Sequence, residues 1–373
     1  MRAANIVLLG LKELRGLARD PAMLALIVFA FTFSIYSAST AMPEQLNKAA
    51  IAIVDEDHSP LSARIADAFF PPFFMPPSMI AQPEMDHRMD AGIDTFALDI
   101  PPEFQRDLLA GRRPTIQLNV DATRMSQAFT GAGYVQSIVT SEIDAFVRRY
   151  RANVPASVEL TLRARFNPSL TISWFGSVIE VVNNVTMLSI ILTGAALIRE
   201  REHGTIEHLL VMPVTPLEIM AGKIWSMALV VLAACALSLL LVVQGLLAVP
   251  LQGSVALFLA GAAVHLFATT SLGVFLATVA RSMPQFGLLL ILVLLPLEML
   301  SGGTTPRESM PEIVQYLMLA APTTHFIMLG QAILFRGAGF ETVWPQFIAL
   351  AVIGLLLFTM ALARFRKAVG ETA

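Results

Sequence analysis

Long apolar stretches alternate with short polar connectors along most of this chain. A hydrocarbon core about 30 Å thick takes roughly 20 mostly apolar residues per helix. Five stretches meet that length: 21–41, 175–198, 224–248, 254–280 and 345–365. A sixth, 286–303, is slightly short and carries Glu298. The pattern predicts a multi-pass α-helical membrane protein with six transmembrane helices. The first stretch exceeds the apolar region of a signal peptide, and no convincing cleavage site follows it.

Three segments break the apolar pattern. In residues 1–20, Val7, Leu11, Leu14 and Ala18 recur at helical spacing while Lys12, Arg15 and Arg19 share another face. That suits an amphipathic helix lying in the inner headgroup layer, or a plain extension of span one. Residues 42–172 are polar enough for a folded domain between spans one and two. There "AAIAIVDEDHSPLSARIADAFF" reads as strand, turn, helix, with Ile51 and Ile53 alternating; "TFALDIP", "PEFQRDLLAG" and "TIQLNVD" repeat the theme. A helix over 125–152 follows, so the expected fold is a small extracytoplasmic α/β layer. "FFPPFFMPP" at 69–77 interrupts it. It fits a loop that dips to the membrane or receives apolar substrate, and equally a buried loop or protomer contact. Residues 309–337 hold two short apolar helices split by Pro322, which fit re-entrant helices in the outer leaflet of the 173–373 bundle.

Composition agrees with a membrane protein: 55% of residues are hydrophobic and 14% charged, and mean hydropathy is +0.68. A net charge of −3 gives no argument for a nucleic-acid partner. The single cysteine, Cys235, excludes an intramolecular disulfide. Lys and Arg in the flanks set orientation. Arg2, Lys12, Arg15 and Arg19 precede span one; Arg199, Arg201 and Lys223 lie between spans two and three; Arg281 follows span four; Arg364, Arg366 and Lys367 follow span six. Both termini are therefore expected in the cytoplasm, across a bacterial inner membrane.

The connector "LIREREHGTIEHLLVMPVTPLEIMAGKIW", residues 197–225, concentrates charge. Span two stops at Gly204, Thr205 can cap a short helix with Glu207 near its positive end, and Pro213 ends it. Ile206, Leu209 and Leu210 share one face of that helix. Thr215, Pro216 and Glu218 then form a capping box that starts span three. A stiff helix–turn–helix with an apolar knob ringed by charge suits docking into another protein; charged anchors with a knob resting on lipid fit as well.

"IREREHGTIEHLLVMPVTPLEIMAGK" resembles the hallmark of type-2 ABC exporter permeases, with Glu200, Glu202, Gly204, Thr205, Glu207, Leu209, Pro213, Gly222 and Lys223 matching. His203 and Met212 depart from it. "AIVDEDHSPLS", "FALDIPPEFQRDLLAG", "DATRMSQAFTGAGYV", "RFNPS" and "LSGGTTPRESMPEIVQYLMLAAPTTHF" resemble the drug-efflux-like subgroup with a large first loop. The resemblance implies that 199–223 receives a separate ATPase subunit, with Glu200, Glu202, Gly204, Thr205, Ile206, Glu207, Leu209, Leu210, Pro213 and Lys223 in coupling. It also implies a second permease copy or paralogue. This chain would bind no cofactor, with ATP and Mg on the partner ATPase; a periplasmic adaptor and membrane lipid are further expected partners.

Other motifs lead nowhere. "LSGG" at 300–303 begins an ATPase signature, but no phosphate-binding loop occurs in the chain. His203 and His208 stand five apart, on different helix faces, against a metal site. Polar residues inside spans cost energy when they face lipid. Glu298 lies roughly 18 Å into span five at 1.5 Å per residue. Asn183, Asn184 and Glu298 are candidates for a translocation path, with Glu180 and His265 also inside spans. Helix–helix hydrogen bonding is the competing role for the asparagines. The expected function is the non-enzymatic permease subunit of an ATP-driven exporter of apolar or amphipathic cargo, drug-like molecules first. The rival is a membrane-anchored sensor whose 42–172 domain binds ligand without transport.

Overall fold

The computed structural model describes residues 3–40, 46, 48–121, 125–150, 172–202, 204, 214–303, 305 and 307–370. The chain divides into two compact units, Met1–Ala41 with Ala164–Ala373, and Met42–Arg163.

The first unit is helical. Helix α1 (Ala3–Ala18) is separated by Asp20 from α2 (Pro21–Thr40). Asp20 caps α2 by accepting from the Met23 amide, with Pro21 at the tolerated first position. The other helices of this unit that are long and apolar enough to cross a membrane are α7 (Trp174–Glu202), α8 (Pro216–Leu246), α9 (Val255–Val279) and α13 (Phe340–Lys367). Helix α10 (Met283–Met299), the remaining expected span, starts and ends earlier than hydropathy predicts and has 17 residues. Its depth follows from its neighbours. Met283 donates to Glu202 at the end of α7, while Gly303 packs on Ile179 near the start of α7. Segment 283–303 therefore runs the length of 179–202, about 34 Å at 1.5 Å per residue, enough for a hydrocarbon core.

Helix α7 is the hub. Val178, Val181, Val185, Leu188 and Leu192 are buried in one core with Val231, Phe258, Leu266 and Phe326. It runs parallel to α9, stitched by Thr186 Oγ1 and His265 Nε2 at 2.9 Å and by Ser189 Oγ donating to Thr269 Oγ1 at 2.6 Å. One turn on, Gly273 brings the backbones together, since a Cβ there would stand 2.7 Å from the Ile190 carbonyl oxygen. Close approach through a small residue is how helices associate where no water drives them together. Helices α11 (Glu312–Met318) and α12 (Pro322–Phe335) are bent by 89° at Pro322. Ile327 meets Gly303, and Gly330 meets Val182 and Phe258. Phe326 stacks on His265 and Leu334 accepts from Gln252. These contacts fall on the half of α7 and α9 away from Glu202, so α12 stays in that half.

The second unit is an α/β layer. Strands β1 (Ile51–Asp55), β2 (Ser78–Met79), β3 (Phe96–Ile100) and β4 (Gln117–Val120) form a sheet in the order β2-β1-β3-β4. β1 pairs in parallel with β2 and β3, and β4 is antiparallel to β3. The crossovers carry α3 (Pro60–Asp67), α4 (Glu84–Asp90) and α5 (Phe104–Leu109), and α6 (Met125–Tyr150) follows β4. The alternation read at Ile51 and Ile53 is not half-buried. Ala52 and Val54 are covered too, packing with Met85 and Ala97 while Ile51 and Ile53 join Phe69, Phe74, Phe96 and Phe104. Parallel strands buried on both faces read as continuous apolar runs. The Phe/Pro loop is held by backbone bonds from Lys48 to Pro72, Ala49 to Phe73 and Met75 to Ala49. Phe69 and Phe74 fill the core, which favours the buried-loop alternative, and only Phe70 of the four phenylalanines is strongly exposed.

Replacing Gly273 by Ala must push two helix backbones apart and should lower stability by about 1–3 kcal/mol. Gly287→Ala, with nothing within 4 Å of its added methyl, should be neutral to slightly stabilising, by up to about 1 kcal/mol. Thermal unfolding in detergent measures both, and equal melting temperatures would refute the close α7–α9 contact.

Candidate functional site: a charged joint at one end of the bundle

Of the connector residues singled out from sequence, Glu200, Glu202, Gly204 and Lys223 are described; Thr205, Ile206, Glu207, Leu209, Leu210 and Pro213 lie outside the described residues, as does the short helix expected there. Both margins are well built. Helix α7 runs to Glu202, and Gly204 takes a φ of +69°, a left-handed value suited to a glycine that turns the chain off a helix. On the far side Thr215 accepts from the Glu218 amide at 3.3 Å and Glu218 accepts from the Thr215 amide at 2.9 Å, completing the capping box. Pro216 occupies the first turn of α8.

The two margins meet through α1. Gly10 lies flat on the Trp225 ring, where a Cβ would stand 2.2 Å from its carbons, and the Trp225 indole N–H donates to the Ile6 carbonyl at 3.0 Å. Gly222 makes the reciprocal fit against Leu9. This contact carries Lys223 out of water. Its side chain is 2% exposed, and Nζ lies 2.8 Å from Glu13 Oε1 on α1 and 2.7 Å from Glu200 Oε2 on α7. Lys12 pairs with the other Glu200 oxygen and closes a four-membered alternating network. Burial pushes the Glu13 carboxyl above its usual pKa against the pull of Lys223, with the Glu200 charge adding to the rise. For Lys12 burial is the largest influence and works the other way, but the bond to Glu200 and the charges of Glu200 and Glu13 together exceed it and hold the ammonium above the usual lysine value.

Three more contacts extend the joint. Arg199 pairs with Asp20, whose carboxyl is held low first by the Met23 amide and then by the guanidinium. Arg201 donates to the Ala280 carbonyl at the end of α9, at 2.8 Å, and Glu202 accepts from the first amide of α10. The ends of α7, α8, α9 and α10 and the whole of α1 are thus tied together around one connector. The resemblance implies a coupling role for Glu200 and Lys223; the structure turns both inward, toward α1. Glu13, Lys12 and Trp225 were not singled out for this cluster. Lys12 and Glu13 stand in the charged part of α1, but their partners lie more than 180 residues away.

Of the candidate residues, Asn184 donates to Glu180 Oε1 at 3.4 Å, and Glu298 lies within electrostatic reach of the same Glu180 carboxylate. Asn184 is buried and donates to the Ala30 carbonyl at 2.9 Å, at the start of a π-helical turn in α2. A π turn frees a backbone acceptor, and Asn184 satisfies it, which is the helix–helix role. Glu180 accepts from Ser34 on α2 at 2.6 Å. Asn183 is half-buried, and Glu298 is a half-buried carboxylate with no hydrogen-bond or ion-pair partner among the described residues. No cluster of three or more His, Cys, Asp or Glu side chains able to hold a metal occurs among the described residues.

Residues 22–363 match the family described as "ABC-2 family transporter protein". The chain belongs to that family. It is 63% identical over 369 residues to the inner membrane transport permease YhhJ of Escherichia coli strain K12, with 99% of each chain covered. It is 27% identical over 362 residues to the probable multidrug ABC transporter permease YbhR of the same strain, covering 96% and 97% of the two chains. With YbhS, named in the same way, identity is 25% over 339 residues and 87% of each chain. The chain is therefore a multi-pass transport permease of the inner membrane and a non-enzymatic subunit, which corrects the rival sensor reading.

Breaking a buried pair from one side leaves an uncompensated charge and costs about 3–5 kcal/mol. Lys223→Ala, which leaves Glu13 and Glu200 with only the half-exposed Lys12 between them, should lower thermal stability by that amount, and adding Glu13→Gln with Glu200→Gln should recover part of it. A Lys223→Ala protein as stable as the parent would refute the buried joint.

Proposed function

We propose that this permease is the membrane half of an ATP-driven exporter whose separate ATPase subunit, carrying ATP and Mg, docks on residues 199–223 at the cytoplasmic face. The observation that carries this reading is the joint: both margins of the connector are locked by buried charge to α1 and to the neighbouring helix ends. A push on Ile206, Glu207, Leu209 and Leu210 then moves α7 and α8 as one body. Lys and Arg in the flanks support cytoplasmic termini and an extracytoplasmic α/β unit. A second permease copy or a paralogue would complete the pore, and the α/β unit is the natural surface for a periplasmic adaptor.

The two relatives named as probable multidrug permeases support drug-like, apolar or amphipathic cargo. Glu298, an unpaired carboxylate in a span, is the residue assigned to contact cationic cargo, with Asn183 as a secondary candidate.

Leu209→Asp and Glu207→Lys should each abolish co-purification of the ATPase while leaving the permease inserted. Normal assembly and efflux in both would refute the docking reading. Glu298→Gln should reduce efflux of cationic amphiphiles while ATPase co-purification stays intact, and unchanged efflux would remove Glu298 from the path.

A further inference from the structure

The half of the bundle away from the joint holds polar groups that transport coupling does not use. The α-helical part of α12 starts with Pro322, Thr323 and Thr324 and runs nine residues to Gly330. Its preceding residue, Ala321, supplies no side-chain cap. Pro322 has no N–H to satisfy, so the first-turn amides needing a partner are those of Thr323 and Thr324. Both side chains are buried, at 3% and 0% exposure, and neither hydroxyl oxygen has a hydrogen-bond partner. A buried, uncapped helix start with two orphan hydroxyls is costly anywhere, and more so where lipid replaces water.

Arg307 lies beside the same helix. Its stem fits against Gly302, which takes a φ of +95° and whose added Cβ would stand 2.9 Å from Arg307 Cγ. The guanidinium reaches the Met328 sulfur at 3.4 Å and the Gln315 carbonyl at 3.4 Å, both long contacts to modest acceptors, and its buried Nε has no partner. A guanidinium presents five N–H donors, so most are unused. No carboxylate among the described residues pairs with it. Met328 and Thr324 are four residues apart and share one face of α12, which puts the guanidinium along the face that carries the Thr324 hydroxyl. The adjoining Gly303 packs on Ile179, five residues or about 8 Å from the start of the apolar stretch at Trp174. That depth is close to where lipid headgroups begin.

We propose that Arg307 and the first turn of α12, with Thr323 and Thr324, form a binding site for a phosphate-class anion. The positive helix end, the free amides, the two hydroxyls and the guanidinium fork all complement tetrahedral anionic oxygens. The phosphate of an anionic phospholipid and free inorganic phosphate share that chemistry. The site concerns a ligand at the far half of the bundle and does not depend on ATPase docking.

The test uses the full-length permease in nanodiscs of phosphatidylcholine alone, of phosphatidylcholine with phosphatidylglycerol, or of phosphatidylcholine with inorganic phosphate against chloride at equal ionic strength. Binding to the folded state raises the melting temperature by mass action. A rise with phosphatidylglycerol, lost in Arg307→Gln and kept in Arg307→Lys, supports the site and assigns it to a lipid headgroup. The same pattern with inorganic phosphate supports it and assigns a free anion. General attraction of anionic lipid to the Lys and Arg of the other face is common to all variants and drops out of the comparison. No anion-dependent rise in the parent, or an equal rise in Arg307→Gln, overturns the proposal. Should Arg307→Gln fail to fold, Thr323→Val with Thr324→Val carries the comparison, and an undiminished rise there overturns it equally.

Discussion

An ammonium group removed from water must be met by carboxylates, and Lys223 draws them from two other parts of the chain. One carboxylate comes from α1, one from the end of α7, and the lysine from the start of α8. None of the three can shift alone without leaving a charge in a poorly solvated place, which costs several kcal/mol. The flat Gly10–Trp225 contact and the Gly222–Leu9 contact make the approach possible, because side chains at either glycine would hold the helices too far apart for the ions to meet. An N-terminal helix that would otherwise float in the headgroup layer becomes a strut across the margins of the connector.

The rest of the bundle follows from a second need, to satisfy polar groups inside lipid. Helix α7 presents Glu180 and Asn184 to α2, and Thr186 and Ser189 to α9. The same helix meets the 300–303 bend and α12 through Ile179 and Val182. Displacement applied at Glu200 and Glu202 is therefore delivered along a buried, bonded rod to the half of the membrane where α12 lies.

Local signals were legible in the sequence and distant ones were not. Apolar length placed the long helices, and the Thr215–Glu218 box was readable because both partners sit within one helical turn. The inward turn of Lys223 and Glu200 was hidden, since nothing in a connector announces a partner on α1. The Phe/Pro loop stayed open between its alternatives for a related reason: phenylalanines costly at a surface are ordinary in a core, and only the backbone bonds to Ala49 and the burial of Phe69 and Phe74 decide between them. "LSGG" belongs here too. Gly302 is needed for a left-handed turn that seats Arg307, and Gly303 for contact with Ile179 and Ile327, so both glycines have structural causes unrelated to nucleotide.

The seam between α7 and α9 also restricts how those helices can move. A one-turn slide would set Thr186 opposite Thr269 but bring Ser189 opposite Gly273, which offers no side-chain acceptor. It would also carry the Ile190 carbonyl away from Gly273, toward residues bearing side chains. A tilt about the seam keeps both hydrogen bonds and the close backbone contact, and moves the two ends of α7 in opposite directions. Buried polar bonds in lipid are expensive to lose and few in number. Rocking of the α7–α9 pair as a rigid body is therefore the motion that the bundle admits at least cost, with α12 at one end of the lever and the charged joint at the other.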